Sequence, residues 1–173
     1  MTATPTAVDS SWERFEALYR SSRDDVYAYV ATLLRDPAAA EDVAALAFER
    51  AYRRRRSFDR RRGDERAWLF GIARNAALDE LRRRKRHARL AADPADIDAT
   101  PVEDGAEAAL ARTTVRAALD GLAARERELV ALKFHAGLSN AEIAKVIGVS
   151  ESNAGTLLHR TMTKLRKACH APS

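Results

Sequence analysis

Apolar side chains recur three and four positions apart through most of the chain, and no segment alternates apolar with polar residues over the length of a strand. The pattern predicts helices and no strands. Ser10-Ser11-Trp12-Glu13 fits a capping box, in which a serine hydroxyl and a glutamate satisfy free amides at a helix start. Trp12, Phe15, Leu18 and Tyr19 follow as the apolar face of that first helix. Val26, Tyr29, Val30, Leu33 and Leu34 form the stripe of a second, which ends before Asp36-Pro37. Asp36 suits an N-cap and Pro37 a first helical residue, so a third helix starts there. It turns Val43, Leu46, Ala47, Ala51 and Tyr52 inward and closes in Arg53 to Arg56, where cations oppose the helix dipole. Residues 57–64 read as a loop containing Gly63. A fourth helix starts near Asp64, carries Trp68, Leu69, Ile72, Ala73, Ala76 and Leu81, and runs on into Arg82-Arg83-Arg84-Lys85-Arg86.

The C-terminal pattern is sharper. Leu129, Val130, Leu132 and Phe134 belong to a helix ended by Gly137. Ser139-Asn140-Ala141-Glu142 is a second capping box, opening a short helix that buries Ile143, Ala144, Val146 and Ile147 and stops at Gly148. Ser150 caps the next helix, which buries Ala154, Leu157, Leu158, Met162 and Leu165. Helix, glycine turn and helix at this spacing predict a DNA-binding helix-turn-helix, whose second helix enters the major groove. Its outward residues are Glu151, Ser152, Asn153, Gly155, Thr156, His159 and Arg160.

Between the halves, residues 91–105 (AADPADIDATPVEDG) carry two prolines, four aspartates and no helical period. They read as an acidic linker. The expected fold is all-α: a domain over residues 10–90, a linker over 91–108, and a helix-turn-helix domain over 109–170.

Charge sharpens this division. The 173 residues carry a net charge of +5, but it is unevenly spread. Residues 50–89 hold 16 basic and 5 acidic side chains, whereas residues 90–108 hold 6 acidic and none basic. A basic block of this density attracts a polyanion by releasing its counterions. A single cysteine, Cys169, excludes an internal disulfide framework, and His87, His135, His159 and His170 have no metal-ligand spacing. No cofactor or metal is expected. No apolar run is long enough to span a bilayer, and the N-terminus lacks a signal-peptide pattern, so membrane insertion is not expected and the expected location is the cytoplasm.

Several side chains invite a chemical reading. Phe58, an aromatic among arginines, suits stacking on an unpaired base or tucking its loop onto the core. Trp68, flanked by Leu69 and Ile72 at helical spacing, reads first as core. Arg74, Asn75 and Asp79 lie off the apolar stripe, and groove contact is one explanation. A metal-dependent nuclease using Glu41 and Asp42 is a poor alternative, because adjacent carboxylates on a helix diverge by about 100°. A stand-alone helix-turn-helix regulator explains only the second half. A general RNA-binding protein would not need the register from Ser139 to Arg160.

Together the halves resemble the extracytoplasmic-function group of bacterial RNA polymerase sigma factors, over roughly residues 12–168. AEDVAALAFERAYR (40–53) resembles the family's polymerase-binding helix. SFDRRRGDERAWLFGIARNAALDELRRRKR (57–86) resembles its −10 promoter segment. ALDGLAARERELVALKFHAGLSNAEIAKVIGVS (118–150) resembles its −35-reading domain. The resemblance implies a sigma factor with no catalytic residues and no small-molecule substrate, partnered by core RNA polymerase, promoter DNA and an anti-sigma factor. Glu41, Asp42 and Phe48 would meet the polymerase. Phe58, Arg60, Arg61, Arg62, Trp68, Arg74, Asn75, Arg82, Arg83, Arg84 and Arg86 would meet the −10 element. Ser150, Ser152, Asn153, Thr156, His159 and Arg160 would meet the −35 element, with Lys164 helping to anchor phosphate. The acidic linker occupies the place of the segment that the family threads through the polymerase cleft. Ala45 and Leu46 replace the family's common Gln and Glu, which makes the docking surface more apolar. Gly155 and Leu157 stand where its reading helix often carries Lys and Arg.

Overall fold

The computed structural model describes residues 7–91 and 106–170. Among these residues there are helices and 3-10 turns and no strands. Helix α1 spans Ala7–Leu34, α2 Pro37–Arg54 and α3 Glu65–Leu90. After the linker come α4 (Ala106–Asp120), α5 (Ala124–Phe134), α6 (Asn140–Ile147) and α7 (Glu151–His170).

The two helices expected before Asp36 are one. Helix α1 runs unbroken from Ala7, so Ser10 lies inside it and no helix starts at the expected capping box. Residues 20–25 contain neither Gly nor Pro, so nothing there stops a helix. The apolar stripe only looks interrupted because Ser22, fully buried, occupies the place between Leu18 and Val26.

Asp36 caps α2 as expected: its carboxylate accepts from the Ala39 amide at 3.2 Å, and Pro37 follows. The inward face of α2 is rotated from the expected one. Ala40, Val43, Ala44, Ala47, Phe48 and Ala51 are buried, whereas Leu46 is exposed. Asp64 caps α3 by accepting from the Arg66 amide at 2.7 Å. Phe70, absent from the expected stripe, is fully buried and meets the Tyr29 ring edge-on at 5.4 Å.

The helix-turn-helix forms as read. Ser139 and Glu142 exchange the two capping-box bonds, at 3.2 and 2.7 Å. Gly148 takes the left-handed conformation (φ 74°), and the Val149 amide folds back onto the Ala144 carbonyl at 3.0 Å. The Ser150 hydroxyl accepts from the Asn153 amide at 3.2 Å and starts α7. Ile143, Ala144, Ile147, Ala154 and Leu158 close the core between the two helices, with Val146, Leu157 and Met162 partly buried against it. Phe134, at the end of α5, is instead 63% exposed.

Linker residues 92–105 lie outside the described residues. Helix α4 begins directly after them, at Ala106. The larger departure is between the lobes. The linker is the only connection that the sequence predicts between α1–α3 and α4–α7, yet α1 packs on α5 and α3 on α6, and the apolar core is continuous across them.

Candidate nucleic-acid and polymerase interface

Helix α3 carries two sets of arginines with different surroundings. In its first half, Arg66 reaches out of the first lobe and donates to the carbonyls of Ala136 (2.5 Å) and His135 (3.1 Å), just past the C-terminus of α5. These are carbonyls that a helix end leaves unpaired. The same guanidinium binds Asp25 at 2.5 Å and the Ser22 hydroxyl at 3.1 Å. Two turns on, Arg74 binds Glu128 of α5 at 2.6 Å, and the Tyr29 hydroxyl donates to the same carboxylate at 3.1 Å. Glu128 is buried and Arg74 mostly so. Burial, reinforced by the Glu128 charge, raises the Tyr29 phenol well above its usual pKa, so the hydroxyl stays a donor. Arg74, expected on the surface, therefore sits in the joint between the lobes. Asn75 beside it is exposed.

In the second half of α3 most of the cations face solvent, and several pair within a turn. Asp79 accepts from Arg82 and from Arg50, both at 3.2 Å. Glu80 holds Arg83 through two 2.8 Å bonds and Arg84 at 2.9 Å. The Arg83 bonds first, then those of Arg84, pull the Glu80 carboxyl down to about 2. Arg84 also reaches Asp36 at 2.8 Å, tying α3 to the start of α2, and is only a quarter exposed. Lys85 and Arg86 are exposed.

The connection before α3 is two short 3-10 turns, Arg55–Ser57 and Arg60–Arg62, and the three arginines of the second are exposed. Phe58 is half-buried with its ring centroid 5.2 Å from that of Trp68. The loop thus sets its aromatic ring against α3. Trp68 is partly buried against the core and also packs on Phe58.

The outward face of α2 presents Glu41, Asp42, Ala45, Leu46 and Glu49. Phe48 is not on it: its ring is buried under Tyr19, centroids 4.8 Å apart. An aromatic shelf that the periodicity did not reveal lies beside this face. Tyr19 and Trp12 are about half exposed, and Tyr52 makes edge-type ring contacts with Trp12 and Phe15, with the Arg55 guanidinium 3.8 Å over its ring. The signal was available in the spacing of Trp12 and Tyr19 from Tyr52, but only a known α1–α2 packing brings them together.

On α7, Ser152, Asn153, Thr156, His159 and Arg160 are all exposed along one side. Ser150 is occupied as the cap, and Lys164 is drawn to Glu126 at 2.8 Å. Gly155 and Leu157 are partly buried, Gly155 facing Asn140 at the start of α6 and Leu157 packing on the core. These two places therefore serve helix packing rather than an outward surface. Among the described residues, no group of three His, Cys, Asp or Glu side chains is placed to hold a metal ion, and no helix is long and apolar enough to cross a membrane.

These two lobes match known families in order. Residues 18–87 match the family described as sigma-70 region 2, and residues 112–165 the one described as sigma-70, region 4. The ECF RNA polymerase sigma factor SigL of Mycobacterium tuberculosis is 33% identical over 153 residues, covering 87% of this chain and 85% of SigL. BldN of Streptomyces coelicolor is 31% identical over 90% of this chain, which spans 60% of the length of BldN. Among solved structures, RpoE of Bartonella quintana, in complex with the anti-sigma factor NepR, superposes with a TM-score of 0.78. That likeness, at 22% identity over 93% of this chain and 99% of RpoE, shows the fold alone. CnrH, in complex with the cytosolic domain of CnrY, is 26% identical with a TM-score of 0.65, covering 94% of this chain and 91% of CnrH. The chain belongs to the extracytoplasmic-function RNA polymerase sigma factors. Its class is that of proteins acting in promoter-specific transcription initiation.

Proposed function

We propose that this chain docks on core RNA polymerase through its first lobe and directs it to promoters by reading a −35 duplex with α7 and capturing bases of an opened −10 element along the loop and α3. It acts by recruitment, in the cytoplasm, with no catalytic residue, small-molecule substrate or cofactor. The observation that carries this reading is the pairing, in one chain, of a capped reading helix with exposed Ser152, Asn153 and Thr156 and a second, separate cationic surface.

Exposure and side-chain contacts support a different division of roles within each surface. Glu41, Asp42 and Leu46 supply the polymerase contact, with Phe48 supporting Tyr19 from beneath. Arg60, Arg61 and Arg62, together with Arg82, Arg83 and Arg86, attract phosphate, while Arg84 fixes α3 to α2. Phe58 and Trp68 form a paired aromatic surface on which an unstacked base can lie; stacking contacts of this kind are worth about 1–3 kcal/mol per base. Strand opening follows from preferential binding of the single-stranded form. His159 and Arg160 anchor the backbone beside the −35 bases. An anti-sigma factor is the expected regulatory partner, in keeping with CnrH having been solved bound to the cytosolic domain of another protein. The domain division of 10–90, 91–108 and 109–170, with the linker following the polymerase cleft, belongs to the same proposal.

Run-off transcription tests it. Core polymerase with the full chain, on genomic fragments of the source organism, should start at discrete sites that core enzyme alone does not use. Initiation indistinguishable from core enzyme alone would overturn the proposal.

A further inference from the structure

We propose that Ser57 is a phosphorylation site for an arginine-directed serine/threonine protein kinase, and that the phosphate it receives withdraws the loop before α3 from promoter DNA. The inference rests on the −10 role of this loop proposed above.

The recognition element is a run of side chains. Arg54, Arg55 and Arg56 directly precede Ser57, and Phe58 directly follows it. No other serine or threonine in the chain follows three consecutive basic residues. An acidic substrate groove pairs with guanidinium groups ahead of the acceptor hydroxyl, and charge patterns of this kind set kinase specificity. The fold leaves the site open. Ser57 is exposed and closes the 3-10 turn Arg55–Ser57, which buries no residue. Arg54 and Arg56 are exposed as well. A 3-10 turn has poorer hydrogen-bond geometry than an α-helix, so the segment can be drawn into a kinase cleft while only the last turn of α2 frays.

Phosphorylation changes the loop in two ways. The first is the loss of a cap. The Ser57 hydroxyl donates to the Arg54 carbonyl at 2.7 Å, at the C-terminus of α2. In the transfer, Ser57 Oγ attacks the γ-phosphorus of a nucleoside triphosphate. The Oγ–P bond forms, the bond to the diphosphate breaks, and the hydroxyl proton passes to a base of the kinase. The donor to Arg54 is gone, and the new group carries about −1.5 to −2 charges beside a helix end that disfavours anions.

The second is the choice of new partners. Residues 53–62 hold seven arginines and a single acid, Asp59. Arg60, Arg61 and Arg62 are exposed in the turn that follows. Guanidinium groups bind phosphate in paired, charge-assisted hydrogen bonds, so the Ser57 phosphate takes the place that DNA phosphate would fill. Phe58, next in the chain, is drawn with it from its position 5.2 Å from Trp68. The aromatic surface is thereby disturbed together with the cationic one.

The test treats the full chain with magnesium ATP and the purified catalytic subunit of cyclic-AMP-dependent protein kinase, an arginine-directed enzyme. Peptide mass mapping should place a phosphate on Ser57, and Ser57→Ala should abolish it. Arg54→Ala should slow its incorporation about tenfold, the scale of one lost charge-assisted pair. With core polymerase, the phosphorylated chain should hold promoter DNA at least about tenfold more weakly, and the slope of log K against log salt should fall by roughly one to two units. Ser57→Ala, treated identically, should bind as the untreated chain does, which separates the effect from label at any other site. The phosphopeptide should also be recovered from the chain isolated from cells of its source organism. Absence of label at Ser57 in the folded chain, or recovery from cells of the unmodified peptide alone, would overturn the site. Label at Ser57 with unchanged promoter binding would overturn its effect. Failure of the untreated holoenzyme to bind promoter DNA would instead overturn the proposed function, before any phosphate is added.

Discussion

The two halves of α3 both carry arginines, two in Glu65–Ala77 and five in Leu78–Leu90, and the two sets have opposite fates. In Glu65–Ala77, Arg66 and Arg74 find their partners up to 70 residues away, across the joint between lobes. In Leu78–Leu90, Arg82 and Arg83 find theirs three residues away on the same helix, and remain over half exposed. A guanidinium held by distant, buried acceptors is part of the architecture, and removing it costs what a broken buried network costs. One held by an i±3 carboxylate in water loses little when it changes partner. Only the second kind is free to exchange a carboxylate for a phosphate without rearranging the fold.

The sharpest way to break this contrast is Arg66→Ala. It strips donors from the Ala136 and His135 carbonyls and leaves Ser22 and Asp25 without their partner. Urea unfolding should show a loss of about 3 kcal/mol, whereas Arg86→Ala should stay within ~0.5 kcal/mol. Equal effects would mean that exposure does not separate the halves.

The next effect lies in the second lobe, where reading rather than architecture is at stake. Asn153, exposed in the first turn of α7, can pair bidentately with adenine, an interaction worth about 1–3 kcal/mol of discrimination. Asn153→Ala should flatten preference at one or two −35 positions in holoenzyme binding to a panel of duplex variants. Uniform weakening across the panel would place the residue on the backbone instead.

Docking comes third. Asp42→Arg, on the exposed face of α2, should weaken core polymerase binding about tenfold, the scale of removing one charge pair, with helical content unchanged. Unaltered affinity in a titration against core enzyme would remove Asp42 from the interface.

The smallest effect concerns Glu80. Its folded pKa is depressed from the ordinary 4.5 to about 2 by Arg83 and then Arg84. The carboxylate therefore stabilises the fold above about 4.5, and that contribution disappears as the pH falls through about 2. Glu80→Gln should lower the thermal midpoint slightly near neutrality, and the difference should vanish on acidification. A difference that persists in strong acid would assign the effect to packing rather than charge.

The same contrast explains how much could be read from the sequence. The helix-turn-helix was legible because every determinant is local: Ser139 with Glu142, Gly148, then Ser150 with the Asn153 amide. In the second half of α3 the pairs of Asp79 with Arg82 and of Glu80 with Arg83 and Arg84 are equally local, whereas the contacts of Arg84 with Asp36 and of Arg50 with Asp79 depend on how α2 packs. The continuity of α1 was hidden because Ser22, a polar residue, carries the buried stripe; what fills the space around it is supplied by other helices. Leu46 and Phe48 exchanged expected roles because two positions on one helix can both flank an apolar stripe, and only the seating of α2 under Tyr19 decides between them. The joint was invisible, because Glu128 looks like any other glutamate of α5 until Tyr29 and Arg74 are brought beside it.

The measurement that bears most directly on the account is the salt dependence of holoenzyme binding to promoter DNA with the exposed end of α3 intact and altered. Replacing Arg82 and Arg86 together by Ala should weaken binding on all promoter sequences alike. It should also reduce the slope of log K against log salt by roughly one unit for each phosphate that is no longer neutralised. An unchanged slope, or an altered sequence preference, would contradict the assignment of this surface to the DNA backbone.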